Sequence, residues 1–117
     1  GQFKPLQLTA AWALDSLVDA FGQQQRETYH RRMEMLAAAL SRLGARIPAP
    51  AGTFFLWGRV PDGHTSERFT EYLLEKAGVF ITPGNMFGSD GEGYFRASLT
   101  VSDERLAEAL LRLEKLQ

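Results

Sequence analysis

The stretch that most constrains this chain is Tyr94-Phe95-Arg96-Ala97-Ser98-Leu99, where apolar and polar residues alternate. A repeat of two residues sends Phe95, Ala97 and Leu99 to one side of a strand and Tyr94, Arg96 and Ser98 to the other. The first set is a core face. The second is polar, with a guanidinium at its centre and hydroxyls on either side.

The remaining elements are read around that strand. Leu14, Leu17, Val18 and Phe21 recur at helical spacing after Pro5, a residue suited to a first helical turn. Gly22 is expected to interrupt this helix as a cap or a kink. A second helix carries Tyr29, Met33, Leu36, Leu40 and Leu43 on one face, leaves Arg26, Glu27, Arg31, Arg32 and Glu34 in solvent, and stops at Gly44. Arg46-Ile47-Pro48 is at most a short strand. Thr53-Phe54-Phe55-Leu56-Trp57 reads as a strand buried on both faces, its aromatic residues in the core.

Thr65 or Ser66 caps a helix bearing Phe69, Tyr72, Leu73 and Ala77, which Gly78 ends. Val79-Phe80-Ile81-Thr82 is a short strand, followed by a glycine-rich loop. The last helix starts at Ser102, with Asp103 and Glu104 where carboxylates favour the dipole. Its core face is Leu106, Ala109, Leu110 and Leu113. The expected architecture is an α/β (α+β) two-layer sandwich, with a small mixed or antiparallel sheet, helices on one face and an N-terminal helix leading in.

Composition narrows the chemistry. The chain has 117 residues, enough for one core, and 44% of them are hydrophobic against 23% charged. A net charge of −1 gives no electrostatic motive for binding nucleic acid or an anionic membrane. No segment reaches the ~20 apolar residues of a membrane span. The absence of cysteine excludes disulfides and thiolate metal sites, while His30 and His64 stand apart without ligand spacing, so no metal is expected. Gly1 in place of an initiator methionine fits a piece of a longer chain, and the opening residues are no signal peptide, which makes the cytoplasm the default compartment.

Candidate binding residues are few. An arginine fixed on a strand, such as Arg96, can offer two parallel N–H donors to a carboxylate, although on spacing alone the commoner outcome is a solvated sheet-surface arginine paired with a neighbouring glutamate. The loop from Pro83 to Gly93 holds four glycines in eleven residues. These could bring backbone close to a ligand or another domain, or could simply build two tight turns. Their spacing matches neither common phosphate-binding fingerprint. Gly52-Thr53 carries the same pair of readings, and Phe54, Phe55 and Trp57 could form an aromatic binding surface instead of core. No nucleophile, base and orienter stand together, so self-contained catalysis is not expected.

In combination, Ala51-Gly52-Thr53-Phe54-Phe55-Leu56-Trp57, Ala77-Gly78-Val79, Pro83-Gly84-Asn85-Met86-Phe87-Gly88 and Gly91-Glu92-Gly93-Tyr94-Phe95-Arg96-Ala97-Ser98-Leu99 resemble, in order and spacing, the C-terminal small domain of class I/II (fold-type I) aminotransferases. The opening Gly1-Gln2-Phe3-Lys4-Pro5 resembles the segment that leaves the large domain in the branch near LL-diaminopimelate, aspartate and alanine aminotransferases. The resemblance implies residues 1–22 as an interdomain helical segment and 23–117 as the small domain. It implies Arg96 as the ligand of the substrate α-carboxylate, with Gly52 and Thr53 bordering the cleft.

It further implies transfer of an amino group between an amino acid and a 2-oxo acid, with pyridoxal 5'-phosphate held mainly by a large domain upstream, and a homodimer. Lys4, Lys76 and Lys115 do not match the motif of the cofactor-bearing lysine. Decarboxylases, lyases and synthases share such domains, and a non-catalytic α/β ligand- or partner-binding module is a further alternative.

Overall fold

The computed structural model describes residues 4–48 and 54–117, and for residues 4–19 and 21 the backbone alone. The order is α1 (Lys4–Arg42), β1 (Phe55–Arg59), α2 (Ser66–Ala77), β2 (Thr82–Pro83), two 3-10 turns (Gly84–Phe87 and Ser89–Gly91), β3 (Tyr94–Ser98) and α3 (Asp103–Glu114). The three strands form one antiparallel sheet in the order β1-β3-β2. Among the described residues no helix is long and apolar enough to cross a membrane.

The expected break at Gly22 is absent: α1 is one helix of 39 residues. A single glycine in a helix interior costs only about 1 kcal/mol relative to alanine, and Gln23, Gln24, Gln25, Arg26 and Glu27 beyond it are acceptable helix formers. The helix ends where expected. Gly44 takes φ +100° and donates its N–H to the Ser41 carbonyl at 3.0 Å.

The predicted faces of the helices are the buried ones. Met33, Leu36 and Leu40 of α1, Phe69, Leu73 and Ala77 of α2, and Leu106 and Leu113 of α3 are buried. They cover the sheet face that carries Leu56, Val60, Phe95, Ala97 and Leu99. Both caps form as read. The Thr65 hydroxyl accepts from the Arg68 N–H and the Ser102 hydroxyl from the Arg105 N–H, each at 3.2 Å. Gly78, in the left-handed conformation, closes α2.

One arginine read as solvated is not. The Arg32 side chain is only 14% exposed; its Nη1 donates to the Leu99 carbonyl at 3.1 Å, and its Nε and Nη2 donate to Asp103 Oδ1 at 3.3 and 3.2 Å. It joins α1 to the end of β3 and to the first turn of α3. Helical spacing alone could not reveal partners 67 and 71 residues away.

Strand boundaries also differ from expectation. Arg46 makes only an isolated bridge to Arg59. Of the stretch 79–82, only Thr82 is paired in a strand, together with Pro83. Leu99 N–H donates to Phe54 O, and Val60 N–H donates to Gly93 O. The odd-numbered residues of β3 therefore bond to β1, while Arg96 turns its backbone toward Thr82. The nitrogen of Pro83, one residue on, accordingly faces outward, the usual place for a strand proline.

The strand read as buried on both faces is buried on one. Leu56 is 2% exposed, whereas Trp57 is 42% and Phe54 55% exposed, and Phe55 is half-buried. The reason is architectural: among the described residues the helices lie on one side of this antiparallel sheet and leave the face of Phe55 and Trp57 open. Phe54 is on the helix side, at the end of the strand, where its ring meets Tyr29 of α1 edge to face.

Candidate carboxylate site on the open face of the sheet

Alternation along the strands places Phe55, Trp57 and Arg59 of β1, Thr82 of β2, and Tyr94, Arg96 and Ser98 of β3 on the uncovered face. Arg96 is central: it stands opposite Trp57 on one side and Thr82 on the other. Behind it Phe95 fills the core so closely that Gly58 has room for no Cβ, the Phe95 Cε1 lying 2.7 Å from where one would stand. The arginine is thus carried on a strand backed by tight packing.

The Arg96 guanidinium is flanked by aromatic rings. Its central carbon lies 4.1 Å from the Phe55 centroid, 4.1 Å from the Phe87 centroid and 5.9 Å from the Trp57 ring. Trp57 and Phe87 meet edge to face, with centroids 5.4 Å apart. Among the described residues no carboxylate lies within ion-pair distance of Arg96, and its N–H groups have no hydrogen-bond acceptor. The expectation of a neighbouring glutamate is not met. What the face offers is a half-buried cation with its donors available, which suits a planar anion such as a carboxylate.

Phe87 comes from the glycine-rich loop, whose two 3-10 turns pack backbone against backbone. A Cβ on Gly84 would collide with the Gly91 carbonyl oxygen and approach that of Tyr94 to 2.8 Å, and one on Gly91 would collide with the Gly84 carbonyl oxygen. These two glycines serve the turns, and no ligand is needed to account for them. Ser66, fully buried at the start of α2, ties the loop down. Its Oγ accepts from the Gly93 N–H at 2.7 Å and the Tyr94 N–H at 3.1 Å, and donates to the Gly91 carbonyl at 3.4 Å. Asn85 Nδ2 adds a bond to Glu67 Oε1 at 3.2 Å.

Ser66→Ala removes the acceptor of two part-buried backbone donors, so it is expected to destabilise the protein by about 1–2 kcal/mol. Urea unfolding should show a lower midpoint at unchanged slope.

Of the residues singled out in the sequence, Arg96 stands at the centre of this face, and Gly52 and Thr53 lie outside the described residues. Sequence reading missed Ser66 as a loop anchor and Phe87 as a neighbour of Arg96. The alternation that placed Arg96 on a polar face, extended to Phe55 and Trp57, would have brought those two rings to the same face. Nothing local signals Phe87. His30, bonded to Glu34 at 2.9 Å on the surface of α1, and the exposed His64 have no part in the site. An open groove of about 510 Å³ lies elsewhere, lined in part by Leu36, Val79, Phe80 and Leu106. Glu108 and Arg112 on its wall pair with each other at 2.6 Å.

Comparison with known proteins identifies relatives along nearly the whole chain. The family model described as aminotransferase class I and II matches residues 4–113. The chain is 45% identical over 116 residues to LL-diaminopimelate aminotransferase of Oleidesulfovibrio alaskensis, covering 99% of this chain and 30% of that protein. It is 43% identical over 117 residues to the enzyme of the same name from Aquifex aeolicus, covering 100% of this chain and 30% of that protein. Among solved structures, an aromatic aminotransferase from Pyrococcus horikoshii superposes with a TM-score of 0.71 at 37% identity, over 80% of this chain and 25% of that one. An aspartate aminotransferase variant from Thermus thermophilus gives 0.69 at 35% identity, over 85% and 27%. The chain therefore spans under a third of the length of these relatives.

Proposed function

Because this chain belongs to the class I and II aminotransferase family, we propose that it acts as the small domain of such an enzyme and that Arg96 binds the α-carboxylate of the amino-acid substrate. The observation that carries the reading is the uncommitted guanidinium on the open sheet face, with aromatic neighbours and no acidic partner among the described residues. A bidentate bond there would fix the substrate's orientation, which is the small domain's share of catalysis. Gly52 and Thr53 are proposed to border the same cleft.

Aminotransferases of this class use pyridoxal phosphate. The residues described here do not fit that group: the open face carries Arg59 and Arg96 but no lysine, while Lys76 and Lys115 lie in or next to the helices α2 and α3. We therefore assign the cofactor to a part of the protein outside this chain. The proposed boundary near residue 22 falls within the unbroken α1, whose buried residues, among those described, begin at Met33. A cytoplasmic homodimer belongs to the same reading.

The test is amino-group transfer by the complete protein. Incubation with an L-amino acid donor and 2-oxoglutarate should form glutamate and the matching 2-oxo acid in equal amounts. Release of carbon dioxide or ammonia without that exchange would assign the chain instead to a decarboxylase or lyase.

A further inference from the structure

We propose that Phe55 and Phe87 are positioning residues for Arg96, holding its guanidinium ready without occupying the donors that a carboxylate needs. The inference rests on the carboxylate role assigned to Arg96 above and extends it to two residues that need not touch the substrate. An arginine on an open sheet face would ordinarily sample many rotamers, and selecting one costs side-chain entropy. An acidic neighbour would fix it, but would also compete with the incoming carboxylate. A ring face does neither. Its quadrupole attracts the cation while leaving the guanidinium N–H groups unspent.

The geometry fits that task. Two ring centroids lie at the same 4.1 Å from the guanidinium carbon, and they come from independent parts of the chain. Phe55 is fixed on β1, one diagonal step from Arg96, since Trp57 is its direct partner and Phe55 stands opposite Ser98. Phe87 is delivered by the 3-10 turn and braced by the edge-to-face contact with Trp57. That turn is anchored through Asn85 to Glu67, and the second turn packed against it through Gly91 to Ser66. The loop's order and the arginine's readiness are therefore linked.

Phe87 is 47% exposed, so changing it leaves the core intact. In the complete enzyme, Phe87→Ala and Phe87→Leu are expected to raise KM for the amino donor about tenfold, the size of one lost cation–π contact, with kcat changed far less. Phe87→Tyr, which keeps the ring face, should restore most of the affinity. In an Arg96→Ala background, Phe87→Ala should have little further effect. If Arg96→Ala itself leaves KM unchanged, the carboxylate reading fails and this inference with it. If Arg96→Ala raises KM but Phe87→Ala costs the same in both backgrounds, the carboxylate reading stands and the positioning role is overturned. Wild-type KM in Phe87→Leu would also overturn it, since leucine fills the space without a ring.

Discussion

Arg96→Lys in the complete protein is expected to lower kcat/KM for the amino donor by about two orders of magnitude, mostly through KM. Both side chains carry one positive charge, so long-range attraction survives. The fork is lost: lysine presents a point charge and cannot make two parallel N–H bonds to one carboxylate. Disrupting one partner of a desolvated, hydrogen-bonded charge pair costs roughly 2–5 kcal/mol, and retention of the charge puts this variant near the lower end. At 1.4 kcal/mol per decade, about 3 kcal/mol corresponds to the stated fall. Steady-state kinetics with saturating 2-oxo acid measure it directly. An unchanged kcat/KM would remove Arg96 from the binding site.

Gly91→Ala is expected to destabilise the protein by about 3 kcal/mol, with a rise in donor KM alongside. The added methyl would run into the Gly84 carbonyl oxygen and approach the Asn85 nitrogen to 3.2 Å. Both are backbone atoms, so no rotamer change can make room. The second turn must shift away from the first, and overpacking of this kind costs typically 1–3 kcal/mol or more. The shift also pulls on the bond between Ser66 Oγ and the Gly91 carbonyl, and on the turn that carries Phe87. Gly88 makes a control, because a Cβ there meets nothing within 4 Å and only its φ of +139° resists substitution. Urea unfolding of Gly91→Ala and Gly88→Ala side by side checks the difference. Equal, small losses would show that the two turns are not welded together.

Much of the fold was legible because it depends on local periodicity. Met33, Leu36 and Leu40 at helical spacing, and Phe95, Ala97 and Leu99 at strand spacing, identify the core without knowledge of partners. Thr65, Gly78 and Ser102 announce helix ends through their own backbone chemistry. What escaped was the choice between burial and exposure for a continuous apolar run. Phe54-Phe55-Leu56-Trp57 looks the same whether one face of its sheet is covered or two, and only the placement of all three helices decides.

The site divides in the same way. Arg96 could be put on a polar face by counting in twos, but its two possible partners, a glutamate or a ligand, could not be told apart until the neighbouring strands were in place. Phe55 and Trp57 alternate along β1 as Arg96 does along β3, but Phe87 comes from a loop nearly ten residues upstream, and no repeat in the sequence links it to them. Arg32, drawn to the end of β3 and to α3, escaped for the same reason.

The short strand at the rim of the sheet has a consequence for how copies of this domain behave when crowded. A sheet edge with free amides is a template onto which another chain can be laid, and such growth leads to fibrils. Here the outer strand offers two residues, and the nitrogen that points outward belongs to Pro83, which has no hydrogen to give. Ribbon-like growth is blocked along β2. On the aromatic face around Arg96, by contrast, self-association would proceed through side chains, and added salt, carboxylate ligands or point mutations can reverse it.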